Sequence, residues 1–313
     1  MAVDGEEAGT GPPHLARDQS AFAYDAALAP QLAVAAPATI VFATRDTRSG
    51  ALLDRPTGSV YELPQPTPGA GNPVTGPVAI DGARPDDALV VDVLEIELGS
   101  PGWCGGHAHV GPVPVGRVPR PLGRTCRVVD GMVEYGDGIA LPVEPMIGCI
   151  GTAPAGEAVI TGLPGRHGGN LDHKVVRRGS RVFLPVAVPE ALLSIGDVHA
   201  CQGDGELSGV GLEIPAEVTV KAGLRAGLAL SWPWVQVGDR IMVLTCAEGF
   251  AEARREAVDN MMRAIETCLG LEPADALALI SIAGDLRVGQ AFGGMPLTLR
   301  LEMPLELGIE PTS

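Results

Sequence analysis

Large rings are scarce in this chain, with 3 Trp, 3 Tyr and 5 Phe in 313 residues. Its core must therefore be assembled from small aliphatic side chains joined by many turns. Lysine is scarcer still: Lys174 and Lys221 are the two lysines among 22 basic residues, which leaves few amines to act as a base. Acids outnumber basic residues and the net charge is −16. That balance disfavours nucleic acid and anionic membrane as partners and suits a soluble enzyme for a neutral or cationic small substrate. No run of 18 apolar residues occurs, and the opening M-A-V-D-G-E-E is acidic, so neither a membrane span nor an export signal is expected. The six cysteines form no C-x-x-C pair and are expected to be reduced, mostly core-filling thiols of a cytoplasmic protein.

Glycine and proline are abundant, at 42 and 28 residues, and are spread through apolar segments rather than pooled in one tract. That distribution predicts a mainly β protein rather than disorder. The clearest strand is 88–98, A-L-V-V-D-V-L-E-I-E-L, with Asp92, Leu94, Ile96 and Leu98 expected on one face. In T-I-V-F-A-T-R-D, Ile40, Phe42, Thr44 and Asp46 share a face, and Asp46 either caps the following turn or faces a site. Pro64 to Pro77 reads as a loop too proline-rich for a helix or a central strand, and its G-A-G cannot open a dinucleotide-binding helix. Gly99 to Arg127 reads as another loop, in which His107 and His109 offer a weak ligand pair, a wall of the substrate site or an ordinary surface loop. From Arg240 the texture changes to a short strand and two helices, 250–269 and 273–283. The expected organisation is a β-sandwich-like region over 1–239 carrying the site. A smaller α+β region over 240–313 is expected to pack against it.

Chemistry concentrates in 195–213, I-G-D-V-H-A-C-Q-G-D-G-E-L-S-G-V-G-L-E. If 193–201 is extended, Leu193, Ile195, Asp197 and His199 alternate onto one side. Asp197 and His199 then lie roughly 7 Å apart at Cα, close enough to share one ion. Gly203, Gly205 and Gly209 permit a turn that folds Asp204 and Glu206 back toward the strand. Acids on the apolar side of a strand carry a desolvation cost that a cation or a hydrogen-bond network must offset. By itself the motif also fits a Gly-rich hairpin with Asp turns.

Several segments taken together resemble the acetamidase/formamidase family. They are T-R-D at 44–46, G-N-P-V-T-G-P at 71–77, M-I-G-C-I-G-T-A-P at 146–154 and G-G-N-L-D at 168–172. G-D-V-H-A-C-Q-G-D-G-E at 196–206 and A-L-A-L-I-S-I-A-G-D-L-R-V-G-Q at 276–290 complete the set. The resemblance implies a β-rich fold with a C-terminal α+β part. It also implies hydrolysis of a small linear amide to acid and ammonia with a bound divalent metal. Position by position it places Asp46, Asp172, Asp197 and His199 near the family's site and Glu206 and Glu213 among its motif acids; we read the first four as metal ligands and the two glutamates as catalytic. A histidine nitrogen favours zinc, whereas an all-oxygen shell would favour calcium or magnesium. A homodimer is expected. The loop holding Trp103, His107 and His109 departs from the family pattern, which leaves the choice of amide open. Two other readings stand beside this one: a cysteine amidase with Cys201 as nucleophile and Lys174 in support, and a β-sandwich that binds a metal or small molecule without turnover.

Overall fold

The computed structural model describes residues 11–64, 71–106, 116–118 and 120–312. Two sheets face each other. In the nine-stranded sheet, Ala38–Thr44 pairs with Ala216–Arg225, which pairs with Ala88–Leu98 and then Arg181–Pro185, all antiparallel. The same sheet runs on through Trp234–Val237, Arg240–Ala247, Leu297–Pro304 and Asp285–Val288. The second sheet has Leu193–His199 at its centre, between Met146–Gly151 and Val74–Asp81. Ile40, Phe42, Leu89, Val91, Val218 and Val220 of the first sheet meet Ile80, Ile147, Ile150, Leu193, Ile195 and Val198 of the second in one buried core. The expected sandwich of small aliphatics is thus present.

Beyond residue 239, Arg240–Ala247, Asp285–Val288 and Leu297–Pro304 are strands of the large sheet itself. Position 239/240 falls in the turn between the paired strands Trp234–Val237 and Arg240–Ala247. Helix α1 (Phe250–Leu269) and helix α2 (Pro273–Ala283) cover this end with Ala257, Met261, Ala264, Ile265, Ala276 and Ile280. Beneath them lie Trp234, Ile241, Val243, Leu301 and Met303. Gly270 closes α1 in the left-handed conformation at φ 67°. Cys268, in the last turn of α1, is exposed.

Three expectations are corrected. The Pro64–Pro77 stretch is not loop throughout: Val74–Asp81 is a buried strand beside Leu193–His199. Proline is tolerated there because the ladder is irregular between Leu193 and Ile195, opposite Gly76 and Pro77, so no paired N–H is missing. The Gly99–Arg127 stretch likewise holds two paired strands, Gly102–Gly106 and Leu122–Val129. Its His107 and His109 lie outside the described residues. In Ala88–Leu98 the ladder slips between the partners of Thr219 and Val220, so Val93 and Ile96 are buried and Leu94 is 42 % exposed. Asp92 is spent on an ion pair with Arg181 at 2.6 Å.

Candidate active site and metal centre

The Leu193–His199 strand is buried along its whole length, yet its alternation is broken. Asp197 is left-handed, at φ 55°. Leu193 and Ile195 face the core, and the next core residue is Val198, so Asp197 and His199 turn away from the apolar face they were expected to share. The partner strand kinks at the same level, where Ile147 and Ile150 enter the core on either side of Gly148. A Cβ at Gly148 would lie 2.6 Å from Asp172 Oδ1 and 2.8 Å from the Asp197 carbonyl oxygen, so glycine lets the acids approach the sheet. Asp172 (φ 47°) and Glu206 (φ 43°) are left-handed too. Such backbone is costly for residues with a Cβ, and its concentration here marks a constrained site.

Asp172, Asp197 and His199 present ligand atoms within 4.8 Å of one another, as do His199, Glu206 and Glu213. The two groups share the imidazole, whose Nε2 is 3.3 Å from Asp197 Oδ1 and 3.1 Å from Glu213 Oε1. All five side chains are buried. Glu213 is brought in by reciprocal backbone hydrogen bonds with Trp103, and its Oε1 accepts from the Gly211 amide at 3.0 Å. Asp46 does not join this set. Its Oδ1 accepts from the Trp103 indole at 3.1 Å and the Arg48 amide at 2.9 Å, while its Oδ2 accepts from the Gly50 amide at 2.6 Å. Asp204, expected near Glu206, is held by both terminal nitrogens of Arg300 at 3.1 Å and by Lys174 at 3.5 Å.

The electrostatics follow from four carboxyls around one ring. Burial, then the Asp197 charge, pushes Asp172 up to about 8. Burial pushes Glu213 up to about 7, against the pull of His199, and raises Glu206 well above its usual range. Burial alone would raise Asp197, but the His199 charge holds it below the usual carboxylate range. Burial opposes charge on His199, and Glu213 and Asp197 outweigh it, raising the imidazole well above its usual value. Among the described residues, Asp172 Oδ1, Glu206 Oε2 and Glu213 Oε2 are buried with no hydrogen-bond partner. Unpaired oxygens in such a place call for a cation, and an imidazole nitrogen among carboxylate oxygens is a donor set that fits a divalent metal.

Residues that sequence reasoning passed over hold these groups in place. Gln202 Nε2 donates to the Asp172 carbonyl at 2.8 Å, so its Oε1 faces His199 Nδ1 at 2.7 Å. In the neutral ring this places the proton on Nδ1, so that Nε2 is the nitrogen available to a metal. Asn72 Nδ2 donates to Asp197 Oδ2 at 3.0 Å and to Asn170 Oδ1 at 3.1 Å. Asn170 in turn donates to Gln290 Oε1 at 3.3 Å. Gln202 and Asn170 lie inside quoted motifs, but nothing in their spacing reveals which atoms they touch. The two thiols nearby do not suit a nucleophile. Burial raises both Cys201 and Cys149, away from the thiolate form. Lys174, the amine needed beside Cys201, is committed to Asp204.

Known proteins share this arrangement of sequence and fold. The Acetamidase/Formamidase family model matches residues 146–236, the span from Met146–Gly151 through the acid cluster. A crystal structure of an acetamidase from Bacillus halodurans is 32 % identical with a TM-score of 0.87, over 94 % of this chain and 98 % of that one. A predicted acetamidase/formamidase from Thermoanaerobacter tengcongensis is 30 % identical with a TM-score of 0.89, over 95 % and 98 %. A formamidase of Methylophilus methylotrophus is 28 % identical over 48 % of this chain, and the match spans about half (51 %) of that relative's length. With similarity to the acetamidase running through nearly the whole of both chains, the protein belongs to the acetamidase/formamidase family.

Proposed function

We propose that this chain hydrolyses a carboxamide to the carboxylic acid and ammonia at the His199 cluster, with a divalent metal bound there. The carrying observation is the set of buried carboxylate oxygens on Asp172, Glu206 and Glu213, without partners among the described residues, around one oriented imidazole. Asp172, Asp197 and His199 would hold the ion, and one nitrogen with oxygens suits zinc ahead of calcium or magnesium. When bound, such an ion polarises an amide carbonyl and lowers the pKa of water toward about 7.

The chain's own groups complete the chemistry. Glu206 lines an open cavity, so it is placed to take a proton from the attacking water. The same carboxyl can pass that proton to the departing nitrogen, because an amine rather than an amide anion must leave. Glu213, at about 7, adds a second carboxyl that shares charge with the imidazole. Asn72 and Gln202 fix Asp197 and His199 so that the site changes little as charge develops. The reading extends to a homodimer in a cytoplasmic setting, the latter supported by six cysteines with no disulfide.

The direct test is ammonia release from formamide and acetamide before and after chelation, with metal analysis of the same sample. Release that falls on chelation and returns with one divalent ion is expected. Undiminished release from protein shown to be metal-free would overturn the metal requirement.

A further inference from the structure

A cavity of about 650 Å³ opens from the acid cluster, with Gln202, Glu206 and Gly211 at its inner end. Gly211 abuts the catalytic ring: a Cβ there would lie 2.6 Å from His199 Nδ1. Away from the cluster the walls are mainly apolar. Val133 and Tyr135 come from the Met132–Gly136 strand, Leu141 from the edge strand Ile139–Pro142, and Leu207, Val210 and Leu212 from the segment after Glu206. Formamide or acetamide would leave most of this space empty. The volume falls within the roughly 300–1,000 Å³ of sites that enclose much larger ligands.

We infer that the preferred substrate is a primary amide with an uncharged apolar acyl group, a medium-length alkyl chain or a ring, lodged in this cavity. The inference rests on the amidase reading of the same site. With the carboxamide at Glu206 and His199, the acyl group has an apolar route outward, along Leu207 and Val210 toward Leu141. Burying each methylene on that route removes apolar surface from water and is worth about fourfold in affinity. If the same contacts persist in the transition state, the gain appears in kcat/KM. A terminal carboxylate on the acyl group would meet Glu144 at the rim as well as Glu206, with both basic neighbours of Asp204 already paired. Amides carrying a second, anionic end are therefore disfavoured. The polarity of the walls and the sign of the rim charge lead to the same class.

The experiment compares kcat/KM of the metal-loaded enzyme for acetamide, propionamide, butyramide and hexanamide, with succinamate as the charged counterpart of butyramide. A rise of about fourfold per methylene is expected, with succinamate at least tenfold below butyramide. Leu141→Asp, on an exposed edge strand, is expected to flatten that slope. If acetamide is hydrolysed and longer amides are equal or worse, the inference fails and the amidase reading stands. A rising series that Leu141→Asp leaves equally steep, or succinamate equal to butyramide, also overturns it. If no amide yields ammonia with metal bound, the amidase reading itself fails, and the inference with it.

Discussion

At the scale of single residues, the site depends on which oxygen atoms are committed elsewhere. Asp46 is as buried as Asp197, yet its oxygens are taken by an indole and two amides, whereas those of Asp172, Glu206 and Glu213 include atoms with no partner. This difference separates acids that residue type cannot. His199→Ala is expected to lose metal and amide hydrolysis together, because the imidazole is common to both ligand-forming groups. Glu206→Gln is expected to retain the metal and lose about 10²–10⁴-fold in kcat, the usual worth of a positioned base. Metal analysis beside ammonia release distinguishes the two. Loss of metal in Glu206→Gln would move that residue among the ligands.

At the scale of elements, the informative contact joins Gly102–Gly106 to the segment after Ala38–Thr44. The Trp103 indole donates to Asp46, and the Trp103 backbone pairs with Glu213. Trp103→Phe keeps most of the buried ring and removes one donor from a buried carboxylate. It is expected to cost about 1–3 kcal/mol in urea unfolding. Metal content should be unchanged if Asp46 supports the loop, and reduced if Asp46 is a ligand. Elements also show what sequence periodicity hides. Strand 88–98 and both helices were legible because their apolar patterns span many residues. The phase breaks at Leu94 and Asp197 were not, because a left-handed residue or a register slip leaves composition untouched. Nor was the left-handed run Glu190, Ala191 and Leu192, which carries no glycine and has backbone hydrogen bonds from Ile80 and Ala153 to its carbonyls.

At the scale of the whole molecule, the cluster couples stability to pH. Asp172, near 8, and Glu213, near 7, bind protons more tightly in the metal-free fold than in the unfolded chain. Their contribution is full below the unfolded carboxylate value of about 4 and is lost as pH rises through 7 and 8. Asp197 acts in the opposite sense, since its lowered value favours the fold above its unfolded pKa and is lost on acidification. Metal-free protein should therefore lose thermal stability from pH 5 to pH 8.5. The metal-loaded protein should lose less, since a cation replaces the protons. Melting curves at matched ionic strength test this. Parallel profiles with and without metal would remove the cluster as the metal site.

The sequence by itself determined the architecture in outline and the cast of the site. Short aliphatic runs separated by glycine and proline can bury themselves only as packed sheets, and the 196–206 motif places acids beside a histidine whatever the fold does around it. Tertiary structure decided which of those acids meet. Asp172 reaches Asp197 because Gly148 leaves room between them, and Glu213 reaches His199 because Trp103 pairs with its backbone. Asp46 and Asp204 are drawn off by Trp103 and Arg300, which lie 57 and 96 residues away along the chain. Contacts over such separations depend on how the sheets register against one another, which local pattern does not encode.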